Sequence, residues 1–227
     1  MYVPQHFSVS DIAQIEAFVD AAQAADLVTF DGSQPVSTLL PVIWDRPARA
    51  EDAWPEDTAA PGIFGRLLGH IARANEQWRT ALPGAQALAI VHGPQAYISP
   101  AWYEAKSRHG RVVPTWNYEA VHLTGTVTFH QDAEWLRHLV TRLTELHEAG
   151  RKHPWAVTDA PPDYIEGQLR AIVGVELAVT TVEAKQKLSQ NRSELDRDGV
   201  ILGLRAEAGA GPAAVADRMA ALARGER

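Results

Sequence analysis

The sequence predicts an α+β fold whose strands lie in an antiparallel sheet or barrel, and three observations carry that prediction. Helices and strands follow one another without the regular β-α alternation that builds a parallel sheet. Residues 120–129 alternate cleanly, with Val121, Leu123, Val127 and Phe129 on one side and His122, Thr124, Thr126 and Thr128 on the other, as a strand with one buried face requires. No Gly-x-Gly-x-x-Gly follows a strand and no P-loop is present, so nothing marks a doubly wound nucleotide fold.

In chain order, Ile12, Ile15, Phe18 and Val19 predict a helix over 11–25, with Ser10 as its cap and Asp11 favouring its positive end. Residues 27–30 and 36–44 flank Asp31-Gly32 and predict a hairpin. Residues 45–61, rich in Pro, Asp, Glu and Ala, predict an exposed loop. Residues 63–71 fit a helix by apolar spacing, yet Gly65 and Gly69 disfavour one. Residues 87–91 and 95–99 around Gly93-Pro94 predict either a strand pair or one bulged strand.

After the alternating strand, Asp132 caps a helix whose stripe is Trp135, Leu136, Leu139, Val140, Leu143 and Leu146. Pro161-Pro162 opens a short helix through Arg170. Val173, Val175, Leu177 and Val179 alternate with Gly174, Glu176 and Ala178 in a strand over 172–182. The tail from Ser193 reads as helix interrupted at Gly209-Ala-Gly-Pro212.

Composition narrows the chemistry. The chain has 227 residues, 46% of them hydrophobic, enough for a packed core. Zero cysteines exclude disulfides, thiol nucleophiles, cysteine zinc sites and iron–sulfur ligation. A net charge of −7 offers no global field for nucleic acid. Neither a basic, apolar leader nor an apolar run of about 18 residues is visible, so a cytoplasmic location without membrane association is expected. The histidines are scattered, with no H-E-x-x-H grouping, and no metal site is expected. No protein catalytic motif is evident.

The window from Tyr97 to His122 interleaves Tyr97, Trp102, Tyr103, Trp116 and Tyr118 with Ser99, Lys106, Arg111, Thr115 and Asn117. A core wants the rings but not so many donors, because each unpaired buried polar group costs about 1–3 kcal/mol. Such a window describes a pocket or a subunit seam, and the aromatic residues suit either.

Five motifs then carry a resemblance. They are Met1-Tyr-Val-Pro-x-His-Phe7, Gly69-His-x-Ala-Arg-x-Asn75, Tyr97-Ile-Ser-Pro-x-Trp-Tyr103, Pro114-Thr-Trp-Asn-Tyr118 with Val121-His122, and Lys187-Leu-Ser-Gln-Asn-Arg192. Together, in this order, the sequence resembles the PaiB family of FMN-binding negative transcriptional regulators with pyridoxamine-phosphate-oxidase-like split barrels. The resemblance implies a six-stranded antiparallel split β-barrel that forms a homodimer, with FMN at the seam. The implied FMN-binding domain spans 1–192 and includes the N-terminal and inserted helices, with 193–227 a helical extension packed on it.

Within that frame, residues 63–69 are expected to be a strand and 71–78 a helix whose N-terminus faces the flavin phosphate. Arg73 is its fork-shaped cation, with His70 and Asn75 beside it. Thr38 and Leu39 are expected along the ring's pyrimidine edge, where Pro41 implies an edge position or a local break. Ser99, Lys106, Thr115, Trp116 and Asn117 form the second wall. Lys187 and Gln190 reach toward the flavin from the end of the barrel, and Ser189 or Asn191 caps the helix that follows. Three functions fit: an FMN-binding dimeric regulator, whose contact with DNA rests on the resemblance alone; a flavin-dependent reductase or oxidase of a small molecule; and a haem-handling or purely structural barrel.

Overall fold

The computed structural model describes residues 1–46, 62–82 and 84–225. Its strands are β1 (Ser8–Val9), β2 (Ala24–Phe30), β3 (Pro35–Asp45), β4 (Arg66–Ala72), β5 (Gln86–Ile98), β6 (Thr115–His130) and β7 (Ile172–Lys187). Its helices are α1 (Ile12–Ala22), α2 (Gln77–Thr80), α3 (Glu104–His109), α4 (Ala133–Glu148), α5 (Pro162–Arg170), α6 (Glu194–Ala206) and α7 (Ala210–Ala223). The sheet order is β1-β7-β4-β3-β2-β5-β6, and β6 also pairs with β7, so β2 to β7 close into a ring. The α+β class and the antiparallel sheet are as expected, but the strand count is seven rather than six. The additional strand is the two-residue β1, which adds to β7 through Ser8 opposite Lys185.

Contacts divide the chain into two compact units. One comprises Met1–Phe18, His92–Val121 and Glu183–Arg227; the other comprises Val19–Val91 and His122–Val182. In the first, α6 and α7 bury Val200, Leu204, Val215 and Met219 with Ile98, Tyr103 and Leu188. In the second, the α4 stripe of Trp135, Leu136, Leu139 and Leu143 packs with Ile165 and Leu169 of α5 over Leu68 of β4. Leu146, expected in that stripe, is exposed.

Several boundaries correct the sequence expectations. The first helix stops at Ala22, because Gln23 takes φ 57 and Ala24 and Ala25 pair with Pro41 and Leu40 in the β2–β3 hairpin. Its cap is Asp11 rather than Ser10: the Asp11 carboxylate accepts the Ala13 N–H at 3.0 Å. The hairpin turns at Asp31-Gly32, where Asp31 accepts the N–H groups of Ser33 and Gln34 and Gly32 supplies φ 98. Pro41 lies within the unbroken β3, where pairing passes from β2 at Pro41 to β4 at Val42, so no break forms there.

The expected helix over 71–78 does not form. β4 runs through Ile71 and Ala72, with Ile71 buried and paired to Val173, and only Gln77–Thr80 is helical. Apolar spacing alone could not separate a strand flanked by β3 and β7 from a helix. Ile63 is exposed ahead of β4. β5 is one continuous strand across Gly93-Pro94. The helix after β7 is capped by Ser193, whose Oγ accepts the Asp196 N–H, and not by Ser189 or Asn191. The break between α6 and α7 spans 207–209, so the expected interruption at Gly209-Ala-Gly-Pro212 is met only at Gly209; Ala210, Gly211 and Pro212 already belong to α7. Beyond Arg46, the predicted loop over 45–61 lies outside the described residues.

Candidate functional site

The residues expected to meet a flavin divide between the two units. In the unit holding β2, β3 and β4, Asn75 joins Thr38: its Nδ2 donates to Thr38 Oγ1 at 2.8 Å while its Oδ1 accepts the Gln77 N–H. Leu39, next to Thr38, projects into solvent. Arg73 is engaged by its own chain. Nε donates to the Arg170 carbonyl, Nη1 to Gln131 Oε1 and Nη2 to the Ile172 carbonyl, at 2.6, 2.7 and 3.1 Å, and the guanidinium lies near the Trp78 ring. With three donors spent this way, Arg73 ties β4 to the start of β7.

Gln77, which sequence reasoning passed over, is the buried tie in this region. Its Nε2 donates to the Leu27 and Val36 carbonyls and to Thr29 Oγ1, clamping both strands of the hairpin.

His70 of β4 is half-buried, and among the described residues its enclosed Nδ1 has no hydrogen-bond partner. Burial holds its pKa below the ordinary 6.5. The folded state therefore takes up its proton later than the unfolded chain as pH falls. The associated stability is fully present above pH 6.5 and is lost as pH drops through the lowered value. His70→Gln is expected to shrink the drop in melting temperature between about pH 7.5 and about pH 5. An unchanged drop in the variant would show that His70 does not drive it.

In the other unit the predicted residues take contrasting positions. Ser99 caps a 3₁₀ turn over Pro100–Trp102 by accepting the Ala101 N–H. Lys106 of α3 is exposed. Trp116 is half-exposed and stands edge-on to Tyr97, ring centroids 6.3 Å apart. Asn117 points to the opposite side of β6 and is fully buried, with Nδ2 donating to Ser189 Oγ at 3.0 Å and approaching Met219 Sδ. It is a core tie between β6 and the turn after β7. Gln190 is a local tie as well, accepting the Leu188 N–H and donating to the Gln186 carbonyl.

Lys187 occupies a more exposed setting. Its Nζ donates to Thr115 Oγ1 at 2.5 Å and to the Trp116 carbonyl at 2.7 Å, and it lies 5.9 Å from the Tyr118 ring. Partial burial lowers its pKa below 10.5; Tyr118 opposes that shift, while Lys185 and Arg192 add to it. Thr115, Trp116 and Lys187 thus form one contiguous group with Tyr97, joining half-exposed rings to an ammonium whose hydrogen-bond partners among the described residues are neutral oxygens. The aromatic and polar spacing of the window and the motif Lys187–Arg192 signalled this group; Lys185 beside it had no such signal.

A second polar cluster escaped the sequence entirely. Glu176 of β7 alternates with the apolar residues of that strand, yet it is fully buried, and Trp135 of α4 lies against Gly174 on the same side of β7. Its Oε2 lies 2.8 Å from His130 Nε2 and its Oε1 lies 3.4 Å from Arg66 Nη1. His130 stacks on Trp135 at 4.1 Å between centroids. Arg66 also faces Asp45, which accepts from Arg142 at 3.1 Å. Among the described residues no group of three or more His, Cys, Asp or Glu could hold a metal ion.

Comparison with known proteins places the chain in context. The family model "Putative FMN-binding domain" matches residues 1–181. The Protease synthase and sporulation protein PAI 2 of Bacillus subtilis is 33% identical over 207 residues, covering 91% of this chain and 90% of that protein. An uncharacterized protein of Aspergillus fumigatus is 32% identical over 199 residues, covering 74% and 75% respectively. Among solved structures, the conserved hypothetical protein Rv2991 from Mycobacterium tuberculosis superposes with a TM-score of 0.54 at 12% identity, over 86% of this chain and 95% of that one. The FAD and heme binding protein from Mycobacterium smegmatis gives 0.53 at 14% identity, over 79% and 73%. At these identities the structural likenesses speak to the fold alone. Among the described residues no helix is long and apolar enough to cross a membrane.

Proposed function

This chain belongs to the FMN-binding family that includes the PAI 2 protein, and from that premise we propose that it is a cytoplasmic, homodimeric flavoprotein that binds FMN at its subunit seam and acts as a PaiB-type negative regulator of transcription. The match over residues 1–181 carries the flavin reading. The residues of the aromatic window fit that group: Trp116 and Tyr97 offer half-exposed ring surface, and Lys187 and Thr115 offer polar atoms at its edge. When bound, flavin supplies electron or hydride transfer. The chain's own part is to stack against the ring, orient it and keep Lys187 beside it.

The regulatory role rests on the family resemblance. α6 and α7 carry mixed charge, with Arg197, Arg205 and Arg218 against Glu194, Asp196, Asp198 and Asp217, which gives direct DNA binding no basic helix.

The decisive experiment loads the purified protein with FMN, removes free flavin and follows absorption and flavin fluorescence, with solution mass measured alongside. Saturable binding to a dimer is expected, and Trp116→Ala is expected to weaken it about three- to tenfold. A colourless monomer at micromolar FMN would sink the reading. A gel shift across a salt series tests the regulatory half separately, because specific binding has to survive physiological salt.

A further inference from the structure

The unit that holds the aromatic window also gathers three cations that make no ion pair among the described residues, although Asp196 acts on Tyr103 and Glu119 lines a pocket with Lys185. Lys185 and Lys187 lie two residues apart on β7, and their ammonium groups approach the same ring, Tyr118, at 5.2 and 5.9 Å. Arg192 lies over Tyr103 at 4.8 Å and acts electrostatically on Lys187, as does Lys185. Lys185 is only 9% exposed, and its one oxygen partner is the Tyr2 carbonyl at 3.0 Å. The oxygen partners of Lys187 are a hydroxyl and a carbonyl. Among the described residues none of the three makes an ion pair.

That absence runs against the composition. The chain carries 28 acidic residues to 21 basic ones, so carboxylates are not scarce. In the same unit Arg218 does find a carboxylate, making a two-pronged bridge to the buried Glu119 at 2.8 and 2.9 Å. Holding mutually repelling cations together, partly out of water and without a direct ion-pair partner, costs folding free energy. An arriving anion recovers that cost, since charge-assisted hydrogen bonds strengthen as the surroundings dry.

We infer that Lys185, Lys187 and Arg192 form a binding site for the phosphate monoester group of a small molecule. Three cations suit a group that carries close to two negative charges at neutral pH better than they suit a single carboxylate. The half-exposed Trp116, whose carbonyl accepts from Lys187, places an aromatic surface beside the anion. Two sources share this chemistry, the phosphate of a bound flavin and a separate phosphorylated ligand. The site itself rests on the cation cluster and not on the flavin reading.

The probe is inorganic phosphate, titrated into the flavin-free protein and followed by tryptophan fluorescence and by the rise in melting temperature that a native-state ligand produces. Saturable binding is expected. Lys187→Met and Arg192→Met are each expected to weaken it about tenfold or more, the value of one charge-assisted hydrogen bond. Lys187→Arg, which keeps the charge, is expected to retain it, as is Lys152→Gln, which removes an exposed cation from the other unit. No saturation in the wild type would overturn the assignment. So would equal weakening by Lys152→Gln, or no weakening by either methionine variant when circular dichroism shows it folded.

FMN and riboflavin then identify the source. A preference for FMN that disappears in Lys187→Met assigns the phosphate to the flavin. Undiminished phosphate binding by the flavin-loaded protein assigns it to a second ligand. Failure of the flavin reading has a different signature, with neither flavin binding while phosphate binding persists.

Discussion

Glu176→Ala is expected to lower the unfolding free energy by about 3–5 kcal/mol, the range for removing one partner from a buried charged pair. Glu176 is fully buried, with one carboxylate oxygen 2.8 Å from His130 Nε2 and the other 3.4 Å from Arg66 Nη1. The substitution deletes the acceptor that both groups share. Arg66 keeps Asp45 at 3.7 Å, while His130 keeps its stack on Trp135. Glu176→Gln retains the shape and an acceptor oxygen, so it is expected to cost less than Ala. Urea denaturation measures the difference, and a double-mutant cycle with His130→Phe isolates their coupling. A loss below about 1 kcal/mol would mean that the cluster is energetically idle.

Gly125→Val is expected to be at least as damaging, with a loss above about 3 kcal/mol or failure to fold. Gly125 lies in β6, and a Cβ there would sit 1.9 Å from the Ala178 carbonyl oxygen and 2.7 Å from its carbon, both on β7. That obstacle is backbone, which cannot rotate away as a side chain could. Relief therefore requires β6 and β7 to separate where their pairing closes the ring. Gly110, whose Cβ would meet nothing within 4 Å, is a comparison site limited by its φ of 67 instead of by space. Gly125→Val variants that melt within a few degrees of the wild type would refute the close approach.

Legibility followed locality. Asp132 as the α4 cap, the Asp31-Gly32 turn, Pro162 opening α5 and the break at Gly209 were readable because each depends on residues within a turn of one another. The alternating residues of β6 were readable because a half-buried strand repeats every two residues, whereas β7 buries both faces over Val173–Leu177. The segment through Ile71 was not, since the same apolar spacing serves a helix face or a strand paired on both edges, and only the neighbours β3 and β7 decide between them.

The candidate site divides along the same line. The window from Tyr97 to Tyr118 was marked by its mixture of rings and donors, and its Trp116, Thr115 and Lys187 do come together. Asn117 looked equally suitable but faces Ser189 and Met219 in the interior. Arg73 had the residue type for a phosphate and spends three donors on its own chain.

Sequence alone determined the class of the fold, most of its turns and caps, and the family, because local backbone preferences and ordered motifs are written in neighbouring residues. Tertiary structure decided which polar groups are committed and which are left without an ion-pair partner. Glu176 and Lys185 show why. Both lie on β7, yet His130 and Arg66 fold back to meet the first, while the second meets a backbone carbonyl and the rings of Tyr2 and Tyr118. Partners that arrive from distant parts of the chain set the electrostatic state of a buried group, and no local pattern encodes their arrival.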